Sequence, residues 1–303
     1  MVFATILLGL LPSFLMVGLG GLVRARLSVN AWQGLDKLNF EILFPALLFV
    51  SAASRPIEIS QILRIAPAVW AILVAALLMG WGVRRFGPAS FLDFAGAWQT
   101  AWRFNSAIAF VAVPTLVLVD AAQMAVVIGM AVPVANIFAV SALSRGGNIG
   151  FGAAFRRVAL NPFLLASIAG VLVGVSGLTI PAPIMAPAEL LAQAAIPIAL
   201  ISVGATMNWG ALARLDVFHG AICAIKLVLL PALTLLTCLA IGATPPLVAL
   251  LVLFAALPTA SAAHVLAAGF GADRELVATL VAQSTLLGAL TLPLWITLLA
   301  LLF

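Results

Sequence analysis

Two short stretches of this 303-residue chain set polar side chains into otherwise apolar surroundings. The first reads Trp98-Gln99-Thr100-Ala101-Trp102-Arg103-Phe104-Asn105-Ser106, with Pro114 further on, and the second reads Leu257-Pro258-Thr259-Ala260-Ser261-Ala262-Ala263-His264. A proline inside a helix removes one backbone hydrogen bond and frees a carbonyl, so each stretch is a candidate helix break, with Pro114 and Pro258 as the breakers. A broken helix offers unpaired N–H groups and the positive end of a dipole at the start of its second half, which favours an anion. Thr259 and Ser261 are suited to capping such a half-helix or donating to a ligand. Arg103 adds a full charge and a planar fork matched to a carboxylate. The candidate binding residues are therefore Arg103, Asn105, Ser106, Pro258, Thr259, Ser261 and His264, and the chemistry is reversible capture of a negative group.

Each of these residues also has a plainer use. Pro114 and Pro258 can be packing kinks, Asn105 and His264 can bond between helices, and Thr259 and Ser261 can bond to carbonyls of their own helix. Arg103 can reach toward headgroups. Lys226 lies about ten residues into an apolar segment, where an unpaired ammonium is costly, so it is functional, neutral or paired with an unplaced acid; a supporting role near the site is one reading. Asn136 and Gln283 either line the same cavity or stitch helices. Ser261 and His264 share a helical face at i, i+3, but no acid in the sequence orients them and no metal-ligand spacing exists, so no enzyme, cofactor or metal is expected. Cys223 and Cys238 lie about 22 Å apart at helical rise and cannot pair with each other.

The elements that must position these residues follow from composition. Hydrophobic residues make up 65% of the chain and charged ones only 8%, against roughly 25% charged in a soluble domain. A hydrocarbon core of about 30 Å needs roughly 20 helical residues, and apolar runs of about that length fall near 3 to 23, 34 to 54, 62 to 83, 94 to 118, 122 to 144, 161 to 178, 188 to 208, 216 to 241, 246 to 269 and 275 to 302. The expected fold is thus an all-α polytopic membrane protein with about ten transmembrane helices. Arg24 and Arg26 follow the first run and no basic residue precedes it, so it reads as a retained span rather than a signal peptide. Asn105 and Pro258 each lie about 18 Å from the entry side of their spans, near the midplane.

The net charge of +5 is topological. Loops after the odd-numbered spans hold Arg24, Arg26, Lys37, Arg84, Arg85, Arg145, Arg156, Arg157, Arg214 and Arg274, whereas the opposite set holds only Arg55 and Arg64. This asymmetry places the first set in the cytoplasm and both termini outside. The basic loops of one face in the first half have uncharged counterparts near 179 to 187 and 242 to 245 in the second, the pattern of a five-span unit duplicated upside down. Phe44-Pro45-Ala46-Leu47-Leu48 resembles Ile196-Pro197-Ile198-Ala199-Leu200 152 residues on, and an offset of 153 carries Asn105 onto Pro258. The expected organisation is a first five-helix repeat over 1–144, a cytoplasmic connection over 145–160 and an inverted second repeat over 161–303.

Phe40-Glu41-Ile42-Leu43-Phe44-Pro45-Ala46-Leu47-Leu48, Asn161-Pro162, the run from Ala195 to Gly204, Lys226 with Pro231, and Leu257-Pro258-Thr259-Ala260 together resemble the auxin efflux carrier family in order and spacing along essentially the whole chain. The resemblance implies two inverted five-helix repeats, a scaffold and a transport domain, and broken helices four and nine that cross, an architecture similar to bile acid sodium symporters. Family members move organic anions, plant ones indole acetate and some bacterial ones malate or malonate. Its crossover residues carry over to Asn105 and Pro258. The chain departs from the family where Ser106-Ala107-Ile108-Ala109 replaces a glycine-containing run and where Pro114 falls late. The short connection over 145–160 implies a bacterial inner-membrane protein.

The expected function is a secondary carrier of small organic anions whose partners are the substrate and the lipid bilayer, with no nucleic acid; whether two copies form a homodimer stays open. Asp36, Glu41, Glu58, Asp93, Asp120, Glu189, Asp216, Asp273 and Glu275 fall at or near span ends, leaving no deep carboxylate for a cation, so sodium coupling is not expected. The alternatives are a sodium-coupled symporter of related fold and a membrane sensor without flux.

Overall fold

The computed structural model describes residues 2–53, 59–145, 152, 156, 159–160, 162–260 and 263–303. Every regular element among them is helical. The chain begins with α1 (Val2–Val23); α2 (Val29–Leu38) runs through a wide π-turn at Asn39–Leu43 into α3 (Phe44–Ala53), and α4 spans Ile59–Gly82. Next come α5 (Phe91–Trp98), α6 (Ser106–Ala112) and α7 (Ala121–Ser144). They are followed by α8 (Pro162–Ser176) and α9 (Ala182–Thr206). A second π-turn, Ile225–Leu229, joins α10 (Val217–Ala224) to α11 (Leu230–Ala240). The chain closes with α12 (Pro245–Ala255), α13 (Ala263–Gly269) and α14 (Arg274–Leu302).

Local chemistry sets many of these boundaries. Ser90, Asp120, Asp216 and Asp273 each begin a helix by accepting from a backbone amide in its first turn, which satisfies donors that have no intrahelical partner. Gly177 and Gly242 follow helix ends at φ of 67° and 65°, a left-handed conformation that other residues seldom adopt.

Among the described residues, five helical stretches are long and apolar enough to cross a bilayer alone: Ile62–Gly82, Ala121–Ser144, Ala182–Thr206, Val217–Ala240 and Arg274–Leu302. Their outward faces are greasy, with Leu78, Leu190, Leu236, Leu290 and Leu301 all exposed. A water-soluble protein does not carry a continuous apolar coat of this kind. The chain is an all-α, multi-pass membrane protein.

Two groups of helices pack side by side. α1, α2, α3, α8 and α9 lie against one another, while α4 to α7 and α10 to α14 enclose most of the buried core. Small residues bring α1 and α9 into backbone contact: a Cβ on Gly20 would collide with the Ile201 carbonyl, and one on Gly204 with the carbonyl of Val17. Close approach over glycine is how helices gain dispersion contact when lipid removes the hydrophobic drive between them. A hydrogen bond from Asn39 Nδ2 to the Ala195 carbonyl at 3.1 Å and one from the Ser202 hydroxyl to Asp36 tie α9 to the helix that begins with α2.

Candidate functional site

Two interruptions lie within the second helix group. α5 tightens into a 3₁₀ turn at Gln99–Ala101 and the backbone then leaves helical geometry until Ser106, while α12 ends at Ala255 and α13 starts at Ala263. The two unwound strands run antiparallel and pair as an isolated bridge between Phe104 and Thr259. The Asn105 amide donates to the Pro258 carbonyl at 2.9 Å, and the Ala260 amide donates to the Arg103 carbonyl at 3.3 Å. Each break therefore supplies backbone partners that the other lacks, as buried non-helical chain requires.

Side chains complete the crossing. Asn105 is buried and caps α6, its Oδ1 accepting from the amides of Ala107 at 3.1 Å and Ile108 at 3.3 Å. The Thr259 hydroxyl donates to the Thr100 carbonyl at 2.9 Å, its amide donates to the Ser284 hydroxyl at 3.2 Å, and Gln99 Nε2 donates to the Ala263 carbonyl at 3.2 Å. Pro258 seats against Gly288 of α14, where a Cβ would stand 3.2 Å from the proline's own. Trp102 fixes the first break to α7 by donating to the Ala135 carbonyl at 3.1 Å. Ring contacts from Trp81 through Phe94 and Trp98 to Trp102 brace the half-helix before the break.

A hollow of about 270 Å³, its open side included, adjoins the crossing and is lined by Phe104, Ser106, Phe254 and Leu257 together with Ile128, Ala131, Val132 and Ala135 of α7. Asn105, between the lining residues Phe104 and Ser106, keeps one buried donor, Nδ2, with no hydrogen-bond partner. Arg103 is half-buried and donates weakly to Gln99 Oε1 at 3.4 Å, and no carboxylate among the described residues pairs with it.

The expected site residues thus divide. Arg103, Asn105, Ser106, Pro258 and Thr259 meet at the crossing; His264 sits half-buried at the start of α13, and Ser261 lies outside the described residues, as do Arg55, Glu58, Arg157 and Asn161. Thr259 has its hydroxyl proton and amide committed to the fold rather than offered to a guest. Pro114 does not make the first break: it sits in the 3₁₀ turn Val113–Thr115 that ends α6, and the interruption upstream contains no proline. The bare amides expected at the breaks are largely satisfied, because each strand pairs with the other and Asn105 caps its own helix. Gln283 donates to the Ala211 carbonyl at 2.9 Å, a stitching role, and Asn136 is half-buried on α7 next to Ala135 of the hollow. Lys226 is fully buried in the π-turn, its Nζ 2.9 Å from the Phe104 ring centroid. Residue spacing could not reveal the Phe104 contact, since it joins two distant segments.

Comparison with known proteins accords with this architecture. Residues 151–296 match a family described as "Membrane transport protein". A Rhizobium meliloti (strain 1021) protein named "Putative malonate transporter" is 30% identical over 308 positions, which cover 93% of this chain and 92% of the relative. The chain belongs to this membrane transport family, the auxin efflux carriers. It is thus a transporter-family membrane protein with a crossing of two interrupted helices.

Proposed function

We propose that the protein is a secondary carrier of small carboxylates that binds its substrate at the crossing and works without sodium. The carrying observation is the unpartnered Nδ2 of Asn105, a buried donor on a residue whose two chain neighbours line a hollow bordered by both breaks. A buried polar group without a partner is costly, so it is best kept where a ligand completes it. As it stands the hollow encloses room for little more than a water-sized group, so a carboxylate would enter as the crossing opens further. Arg103 raises the local potential for such a guest. Malonate is the first substrate to test, because a relative is named for it.

In this reading the helices form ten spans in two inverted five-helix repeats, 1–144 and 161–303, joined through 145–160. Shifting Val29–Ala53 by 153 residues lands on Ala182–Thr206, and the same shift takes Asn105 to Pro258, its own hydrogen-bond partner. The two helix groups supply the moving and fixed parts of a rocking or elevator cycle. Positive loops set both termini outside the inner membrane.

The test is uptake of labelled malonate by proteoliposomes, with sodium or choline as the external cation. Saturable uptake that is equal in the two media and competed by other small carboxylates is expected. Uptake that collapses in choline would move the protein to the sodium-coupled class, and absence of uptake for every carboxylate tried would overturn the carrier reading.

A further inference from the structure

Lys226 is a buried charge-bearing group that the crossing's hydrogen bonds leave unused. Its side chain has no solvent exposure and its Nζ has no hydrogen-bond acceptor. The ring of Phe104 is its neighbour at 2.9 Å, and on that ring's other side Phe254 stacks with centroids 4.2 Å apart, because both separations cannot share one face. Phe104 and Phe254 both line the hollow. The lysine thus sits against a ring that itself borders the space where an anion would bind.

Among the described residues, no carboxylate pairs with Lys226. Elements packed on the π-turn carry Arg64 on α4, His219 and Cys223 on α10, Cys238 on α11, and Arg274 and Glu275 on α14, while Arg103 precedes Phe104. The carboxylate of Glu275 is engaged by Arg214 at 2.5 Å, and His219 is engaged by Asp216 at 2.7 Å. An aromatic face offsets only part of the desolvation of an ammonium, so a charge at this position lacks full compensation until an anion arrives. The π-turn at Lys226 is a local widening of the helix, a feature frequent at functional sites.

We propose that Lys226 is the counter-charge of the bound carboxylate and takes up one proton with it, Phe104 swinging aside to let the two meet. This rests on the carrier reading above. On binding, a solvent proton adds to the neutral Nζ and the resulting ammonium pairs with the carboxylate; on release both leave together, and the empty carrier returns uncharged. Anion and proton would then move as a pair, without a metal cation.

The test is calorimetric titration of malonate into the purified full-length protein in two buffers of different ionisation enthalpy, which counts protons taken up per anion. Wild type is expected to take up about one proton, with affinity weakening about tenfold per pH unit on the alkaline side. Lys226→Met should bind at least tenfold more weakly with no proton uptake. Lys226→Arg, which cannot lose its proton at these pH values, should bind with no proton uptake and a flat pH profile. Binding by wild type without proton uptake overturns the role of Lys226 and leaves the carrier reading intact, as does uptake that persists in either variant. Failure of wild type to bind malonate or any other small carboxylate instead defeats the carrier reading.

Discussion

Replacing Asn105 separates the two tasks of its side chain. The Oδ1 accepts from two amides of α6, and the residue is only 3% exposed, so Asn105→Ala leaves both donors stranded in an environment without water. Loss of an N-cap costs about 1 kcal/mol, and a stranded buried donor costs about 1 to 3 kcal/mol. The two describe one overlapping loss, so the expected destabilisation is about 1 to 3 kcal/mol. Asn105→Ser restores one capping acceptor and should recover about half of that loss, yet it lacks the amide donor Nδ2. Denaturant titration in mixed micelles reads the stability, and carboxylate binding to the same samples reads the donor. Both variants should lose binding at least tenfold while differing in stability. Undiminished stability in Asn105→Ala would refute the cap, and undiminished binding in Asn105→Ser would refute the donor.

Three further outcomes follow from the same geometry. Thr259→Val keeps the shape but deprives the Thr100 carbonyl of its donor, so unfolding should become easier by about 1 to 3 kcal/mol in the same titration. Gly204→Val drives a side chain into the Val17 carbonyl of α1 and should cost about 3 kcal/mol or more, seen as loss of monodisperse protein on size exclusion. Asp216, at the mouth of Val217–Ala240, is pushed up by partial burial, but hydrogen bonds from the His219 amide and ring and from the Phe218 amide outweigh this and hold its carboxyl below the ordinary value. Its contribution is complete above the unfolded carboxylate pKa of about 3.9 and disappears as pH falls through the lowered folded value. Thermal melts of wild type and Asp216→Ala should therefore differ by a constant amount near neutral pH and converge in strong acid.

The breaks were legible in the sequence because they rest on local chemistry. A proline at 258 and an asparagine ahead of Ser106 mark a helix end and a helix start wherever the segments lie. The apolar runs and the sparse charges likewise announced a membrane protein. Hidden was everything that depends on two distant segments meeting. The amides of Asn105 and Ala260 looked bare because their partners, the carbonyls of Pro258 and Arg103, lie on the opposite strand of the crossing. Lys226 could be ranked as costly from its depth alone, but its seat on Phe104 arises only once α10, α11 and α14 pack around the break. Pro114 misled for the opposite reason: a proline tolerated in the last turn of a helix has the same local signature as one that interrupts it.

Transport by this crossing requires a carboxylate bound at Asn105. The direct measurement is the dipolar coupling, in the solid state in lipid, between carboxylate-labelled malonate and protein labelled at the asparagine side-chain nitrogen. A hydrogen bond of about 2.9 Å from nitrogen to oxygen sets the carboxylate carbon within roughly 4 Å of Nδ2, so strong coupling is expected in wild type and none in Asn105→Ser. Saturating malonate with no coupling to the Asn105 side chain would contradict it.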